Sequence, residues 1–313
     1  MESTRMAVVT GATSGIGLAT LKTLLAGGWA CLAVGRSQLR TEAANREVMA
    51  AVPGARVQWL EADLSSIGQT RSLAAAIRER LQAAWAVVDA TPHLFPAGTE
   101  QAGMPDLPES ALSVNAPLDA LVLCAGCVTD WYLATEDGYE TQFAVNHLSQ
   151  FLLAHALRAN LQAARGGRII TISSGSHANT RIRWGDIMLR RHYNPLLAYK
   201  QSKLCNVLFA AEWNRRHAAS ARALAVDPGL VRTEIGLKGT AGIVRAVWKW
   251  RMRSGVPAEH PAAHVAELLA YPGNLVRESL YWKDGRPARE SGAARDPVVA
   301  ERLWHLSERL CGV

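Results

Sequence analysis

Six short apolar runs punctuate the chain: MAVVT (Met6 to Thr10), ACLAVGR (Ala30 to Arg36), RVQWLEADL (Arg56 to Leu64), LDALVLCAG (Leu118 to Gly126), GRIITISS (Gly167 to Ser174) and ARALAVDPG (Ala221 to Gly229). Helical spacing of apolar residues separates nearly all of them, as in LATLKTLLAGG (Leu18 to Gly28). Strands that alternate with helices enter a parallel sheet through right-handed crossovers, and the helices cover both faces of that sheet. The length of 313 residues admits one large domain or two small ones. The rhythm reads as one α/β domain over 1–313, a doubly wound parallel sheet of about seven strands.

The first run ends in a glycine turn. TGATSGIG (Thr10 to Gly17) closes a strand and opens a helix, and contains Gly11, Thr13, Ser14, Gly15, Ile16 and Gly17. Glycines let the backbone turn tightly and approach a pyrophosphate, whose charge rests on the free N–H groups of the helix start. A glycine motif alone is weak evidence, but here it has the strand before it and the helix after it that the mechanism requires. Dinucleotide binding on a Rossmann-type sheet is the favoured reading. At the end of the second strand a carboxylate would bind the ribose hydroxyls of NAD; this chain has Arg36 and no acidic neighbour. Arg36 is expected to meet the 2′-phosphate of NADP in a charge-assisted bond.

Composition excludes several alternatives. Half-apolar content with 19% charged residues is globular rather than disordered. The net charge of +7 comes with scattered arginines and no nucleic-acid motif, so no nucleic-acid partner is expected. No apolar run reaches the length of a membrane span, and the first strand starts by Met6, which points to a cytoplasmic or membrane-surface protein. Five cysteines are expected as thiols; CAGC (Cys124 to Cys127) has redox spacing but no second pair to make a zinc site, and no metal is expected.

Two segments break the rhythm. Residues 87–117 hold five of the thirteen prolines and read as an irregular insertion, on the far side of the sheet from any ligand edge. After the sixth strand, GTAGIVRAVWKWRMRSG (Gly239 to Gly255) reads as a short amphipathic helix, a substrate lid spanning about 234–256. Its tryptophans and cations would also suit a membrane surface. Ile235, Leu237, Ile243, Val247 and Trp248 make the expected substrate bulky and apolar.

The stretch AYKQSKLCNV (Ala198 to Val207) sets Tyr199 four residues before Lys203, on one helical face. A phenol is a slow proton donor or acceptor at neutral pH, and an adjacent ammonium favours its phenolate. The spacing alone proves little, and the pair needs other motifs beside it.

TGATSGIG, ADL, CAG, VNHLSQFLL, TISS, YKQSK and DPGLVRTEI stand in the order and spacing of the short-chain dehydrogenase/reductase family, which the chain resembles over nearly its whole length outside the proline-rich insertion. EDGYETQFAVNHLSQFLL, YKQSKLCNVLF and the tail YWKDGRP with AERLWHLSERL are most similar to its retinol dehydrogenase-like branch, and light-dependent protochlorophyllide reductases share several of these features.

The resemblance implies a catalytic tetrad of Asn146, Ser174, Tyr199 and Lys203, with Ser173 the neighbouring alternative to Ser174. Asn146 would hold a water that relays protons towards Lys203, and Lys203 would also hold the nicotinamide ribose. Asp63 and Leu64 would border the adenine, Ala125 and Gly126 the adenosine side, and Pro228, Gly229 and Thr233 the nicotinamide end. Cys124 stands where the family has an asparagine that ties strands together, which puts local stability in question. His147 and His177 adjoin motifs but read as structural. The implied activity is NADP(H)-dependent interconversion of an alcohol and a carbonyl on a bulky apolar substrate, retinoid, steroid, isoprenoid or polyketide-like. A homodimer and peripheral membrane contact are compatible with it; a light-driven double-bond reductase and a non-catalytic NADP(H) sensor are the alternatives.

Overall fold

The computed structural model describes residues 4–90, 115–217, 221–232, 255–270 and 279–313. Strand β1 (Met6–Thr10) is buried along its whole length, as its unbroken apolar run requires. It pairs in parallel with β2 (Ala30–Gly35) on one side and β4 (Ala120–Leu123) on the other, so that Val8 sits opposite both Leu32 and Leu121. With β3 (Val57–Glu61), β5 (Arg168–Ile172), β6 (Arg222–Asp227), β7 (Tyr281–Lys283) and β8 (Arg286–Ala288) the sheet runs in the order β3-β2-β1-β4-β5-β6-β7-β8. All pairings are parallel except β7 with β8, and strand order reverses between β1 and β4. Ligands bind at the carboxyl ends of the strands at such a reversal.

Alternate residues of each central strand serve two apolar layers. Val8, Leu32 and Leu121 face one layer, with Ile77 of α3 (Ile67–Ala90), Phe151 of α5 (Ser149–Ala156), Leu208 of α7 (Pro195–His217) and Trp304 of α9 (Pro297–Cys311). Val9, Ala33 and Val122 face the other, with Leu21 of α1 (Gly15–Ala26), Val48 of α2 (Gln38–Ala51) and Leu268 of α8 (Glu259–Ala270). Phe151 meets Trp304 edge-on at 4.9 Å. Burying one such side chain stabilises the fold by about 1.5–3 kcal/mol, and truncating it to alanine costs more because a cavity remains.

All six sequence-derived strands are present, β1 with the bounds read from the sequence and the other five shortened by one to three residues at one or both ends. The expected sheet of about seven strands has eight, and the last two, which no apolar run had located, are joined by a tight hairpin in which Asp284 and Gly285 both take positive φ (48° and 71°). One feature differs from the sequence reading. Helix α3 runs to Ala90, beyond the Val87 start of the expected insertion; 91–114 lies outside the described residues, as does 233–254, which holds nearly all of the expected lid. Among the described residues no helix is long and apolar enough to cross a membrane.

Candidate active site

The turn after β1 is built by close backbone contact. Gly11 has φ +65°, and a Cβ there would stand 2.9 Å from Ala125; a Cβ on Gly17 would stand 2.3 Å from the Gly11 carbonyl. Only glycine lets the first turn of α1 pack this tightly on β1 and leave its N–H groups open to a ligand. The loop after β4 is tied to this turn without the asparagine that the family resemblance would place at Cys124. The Ala125 N–H donates to Thr10 Oγ1 (3.1 Å), and Gln150 Nε2 donates to the Ala125 carbonyl (3.1 Å) while its Oε1 accepts from Thr171 Oγ1 (2.6 Å). Thr10 and Gln150 thus link β1, β4 and β5.

A cavity of about 710 Å3 opens at the carboxyl ends of the strands. Gly11, Thr13, Ser14, Gly15, Ile16 and Gly17 border it at the end of β1. Arg36 borders it after β2, Asp63 and Leu64 after β3, and Ala125 and Gly126 after β4. Ser174, Tyr199, Lys203, Pro228 and Gly229 complete the wall. Sixteen expected site residues therefore meet at one cavity, although they come from seven separate segments. Thr233 lies outside the described residues. Among the described residues the lining carries Arg36, Arg40, Lys200 and Lys203 against a single acid, Asp63, an arrangement that favours an anionic ligand.

Helix α7 presents Leu196, Tyr199, Lys200 and Lys203 to the cavity, the i, i+3, i+4, i+7 stripe of one helical face. Lys203 Nζ lies 5.5 Å from the centroid of the Tyr199 ring and donates to the Ile172 carbonyl (2.9 Å). Burial pulls the Lys203 ammonium down from 10.5 to about 8. Tyr199 lies beside a desolvated cation that is still mostly protonated at neutral pH.

The two serines after β5 differ. Ser173 is fully buried and its hydroxyl donates to the Lys203 carbonyl (2.9 Å). Ser174 is partly exposed at the cavity wall, where its Oγ accepts from the Ser176 N–H (3.3 Å) and leaves its own hydrogen free to turn towards a ligand.

Asn146 is outside the cavity lining and fully buried. It sits in a π-helical stretch, Ala144–Leu148, between the short helix α4 (Thr141–Phe143) and α5, which α6 (Arg158–Ala163) follows. Its Oδ1 accepts from the Cys127 N–H (2.7 Å), and its Nδ2 donates to the Cys127 carbonyl (3.1 Å) and to Ser202 Oγ (3.0 Å). Ser202 Oγ in turn donates to the Tyr199 carbonyl (2.8 Å). The Asn146 side chain is thus engaged in fixing Cys127 and the turn that carries Tyr199.

Both histidines are hydrogen-bonded inside the fold. His147 lies 2.8 Å from Ser307 Oγ, and burial pushes its imidazole down to about 3. His177 bonds the Ser174 carbonyl and the Ser291 amide. Cys124 and Cys127 are free thiols that burial pushes up to about 12, so neither is poised as a nucleophile.

Sequence reasoning missed Arg40, Leu196 and Lys200. The spacing of Arg40 from Arg36 and the helical stripe through Tyr199 carried the signal. It also missed Leu133 and Leu230, which line the cavity from loops whose course depends on the assembled sheet.

Comparison with known proteins identifies the family. A family model described as short chain dehydrogenase matches residues 5–99 and 98–241. Human "Retinol dehydrogenase 13" is 32% identical over 98% of this chain and 84% of its own length. Mouse "Polyprenol dehydrogenase" is 29% identical over 98% and 84%. A crystal structure of a protein from Mycobacterium Paratuberculosis, 28% identical, superposes with a TM-score of 0.66 over 99% of this chain and 94% of that one. The chain belongs to the short chain dehydrogenase family of oxidoreductases.

Proposed function

We propose that the protein is an NADP(H)-dependent oxidoreductase that interconverts an alcohol and a carbonyl on a bulky apolar substrate. The observation that carries this reading is the convergence of Ser174, Tyr199 and Lys203 on the cavity that the glycine turn opens. The residues fit the cofactor. The cradle at Gly11 and Gly17 has no room for a Cβ, and two guanidinium groups, Arg36 and Arg40, stand past β2 where no carboxylate does. A 2′-phosphate suits that pair. Bound NADP(H) supplies or accepts the hydride.

In the reducing direction Tyr199 gives its phenolic proton to the substrate oxygen, and in the oxidising direction it takes that proton back. Lys203, positively charged below about pH 8, stabilises the phenolate that is left. Ser174 donates a hydrogen bond to the same oxygen as charge develops there. Asn146 acts as a positioning residue through Cys127 and Ser202.

The apolar substrate class rests on the cavity mouth. Leu133, Leu196 and Leu230 line it while remaining 42%, 41% and 40% exposed, and Val128 and Val231 lie inside. The names retinol dehydrogenase and polyprenol dehydrogenase among the relatives agree with such a ligand.

The test is dark oxidation of NADPH, with NADH in parallel, against a panel of apolar aldehydes and ketones. Turnover with NADPH that falls about 1,000-fold in Tyr199→Phe is expected, the range a positioned general acid contributes. Tight NADPH binding without dark turnover would sink the reading. Reaction only under illumination would then favour a double-bond reductase, and none at all a sensor.

A further inference from the structure

A second polar cluster lies behind the cavity, and the chemistry above does not use it. Asp227, the last residue of β6, is 3% exposed, yet no ion pair to it is present among the described residues. Its partners are neutral donors. Oδ1 accepts from the Gly229 N–H (3.0 Å), and Oδ2 accepts from the Tyr281 hydroxyl (3.0 Å) at the start of β7. A Cβ on Gly175 would stand 3.0 Å from the same Oδ2, so the chain after Ser174 packs directly on the carboxylate.

The Tyr281 ring lies 4.9 Å, centroid to centroid, from the ring of His177, which is 2% exposed. His177 Nε2 faces the Ser291 N–H at 3.2 Å. A backbone amide can only donate, so Nε2 is the acceptor and the proton of the neutral ring sits on Nδ1. Nδ1–H then donates to the Ser174 carbonyl (2.8 Å).

Two cavity loops that belong to different strands therefore share one anchor. Ser174 is held through His177, and Pro228–Gly229 through Asp227, with Tyr281 joining the two halves. A buried carboxylate without a cation is costly, and hydrophobic residues would fill this space at less cost. We propose that Asp227, Tyr281 and His177 are positioning residues that hold Ser174 and the Pro228–Gly229 loop in register with Tyr199. This rests on the oxidoreductase reading above.

The closing experiment compares wild type, Tyr281→Phe and Asp227→Asn in steady-state turnover, NADPH titration and ring-nitrogen NMR of His177. Tyr281→Phe keeps the ring against His177 and deletes only the donor to Asp227. Asp227→Asn keeps both hydrogen bonds, because its Oδ1 still accepts from Gly229 and its Nδ2 can donate to the Tyr281 oxygen. Expected results are a fall in kcat of about 10- to 100-fold in Tyr281→Phe with KM for the carbonyl within about threefold, and an Asp227→Asn kcat within about threefold of wild type. The NMR spectrum of wild type should place the ring proton on Nδ1.

Wild-type kcat in folded Tyr281→Phe, or a ring proton on Nε2, would overturn the assignment while leaving the oxidoreductase reading intact. A wild-type protein that neither binds NADPH nor turns over would remove both together.

Discussion

Lys203→Met should make the protein more stable and inactive. Nearly the whole lysine side chain is buried, and burial brings its ammonium from 10.5 in water to about 8. At 1.36 kcal/mol per unit, holding it charged in the fold costs about 3 kcal/mol at neutral pH. Methionine fills similar space and carries no charge. The substitution forfeits the hydrogen bond to the Ile172 carbonyl, about 1 kcal/mol, but that carbonyl still accepts from Asn206 Nδ2 (3.1 Å). The net gain is about 2 kcal/mol. With an unfolding entropy near 2.1 cal/mol/K per residue over 313 residues, Tm rises by about 3 °C.

The pH dependence gives the gain its signature. The unfolded chain keeps this proton up to about 10.5, whereas the folded protein releases it near 8, so between those values the unfolded state binds more protons. Wild-type stability therefore climbs with pH across that window. The advantage of the variant is complete below about pH 8 and vanishes towards 10.5. Thermal unfolding by circular dichroism at several pH values, without cofactor, measures it. A variant less stable than wild type at pH 7, or a gap that persists at pH 10.5, would refute the claim that desolvation dominates at this site.

Three further outcomes follow from other parts of the structure. Arg36→Ala should lower kcat/KM with NADPH by about 10- to 100-fold, the worth of one charge-assisted phosphate contact, and leave that with NADH within about threefold; an equal loss with both cofactors would remove the phosphate role. Gly17→Ala should abolish NADPH binding measured by fluorescence titration, because its Cβ would meet the Gly11 carbonyl at 2.3 Å, and retained affinity would show that the cradle is not tight. His147 is neutral in the fold down to about pH 3, while the unfolded ring takes a proton near 6.5, so wild-type stability should fall as pH drops below 6.5, by about 2 kcal/mol at pH 5. His147→Gln should flatten that limb in urea titrations between pH 7 and 5, and an unchanged slope would assign the acid sensitivity elsewhere.

The parts legible in the sequence are those in which a local pattern has a local cause. The β1 run is buried on both faces, so its apolar residues are contiguous; the glycines after it answer to a contact within a few residues of chain. Tyr199 and Lys203 share a face because helix geometry fixes it. The hairpin of β7 and β8 was missed because its strands have three residues each, too few for any periodicity. Its signal was the Asp284-Gly285 pair, whose two positive φ values match a tight hairpin turn. The task of the Asn146 side chain, the ties that Thr10 and Gln150 make to Ala125, and the bond between His177 and Ser291 were illegible for another reason. Each joins positions far apart in sequence, and only the closed sheet brings them together.

The hairpin also decides how the sheet ends. In β8 the residue opposite Trp282 is Pro287, which has no amide hydrogen, and both it and the neighbouring Arg286 are exposed. A second copy approaching this margin would find an interrupted row of donors beside a guanidinium, a poor template for another strand. Edge-to-edge fusion of two sheets at β8 is therefore disfavoured.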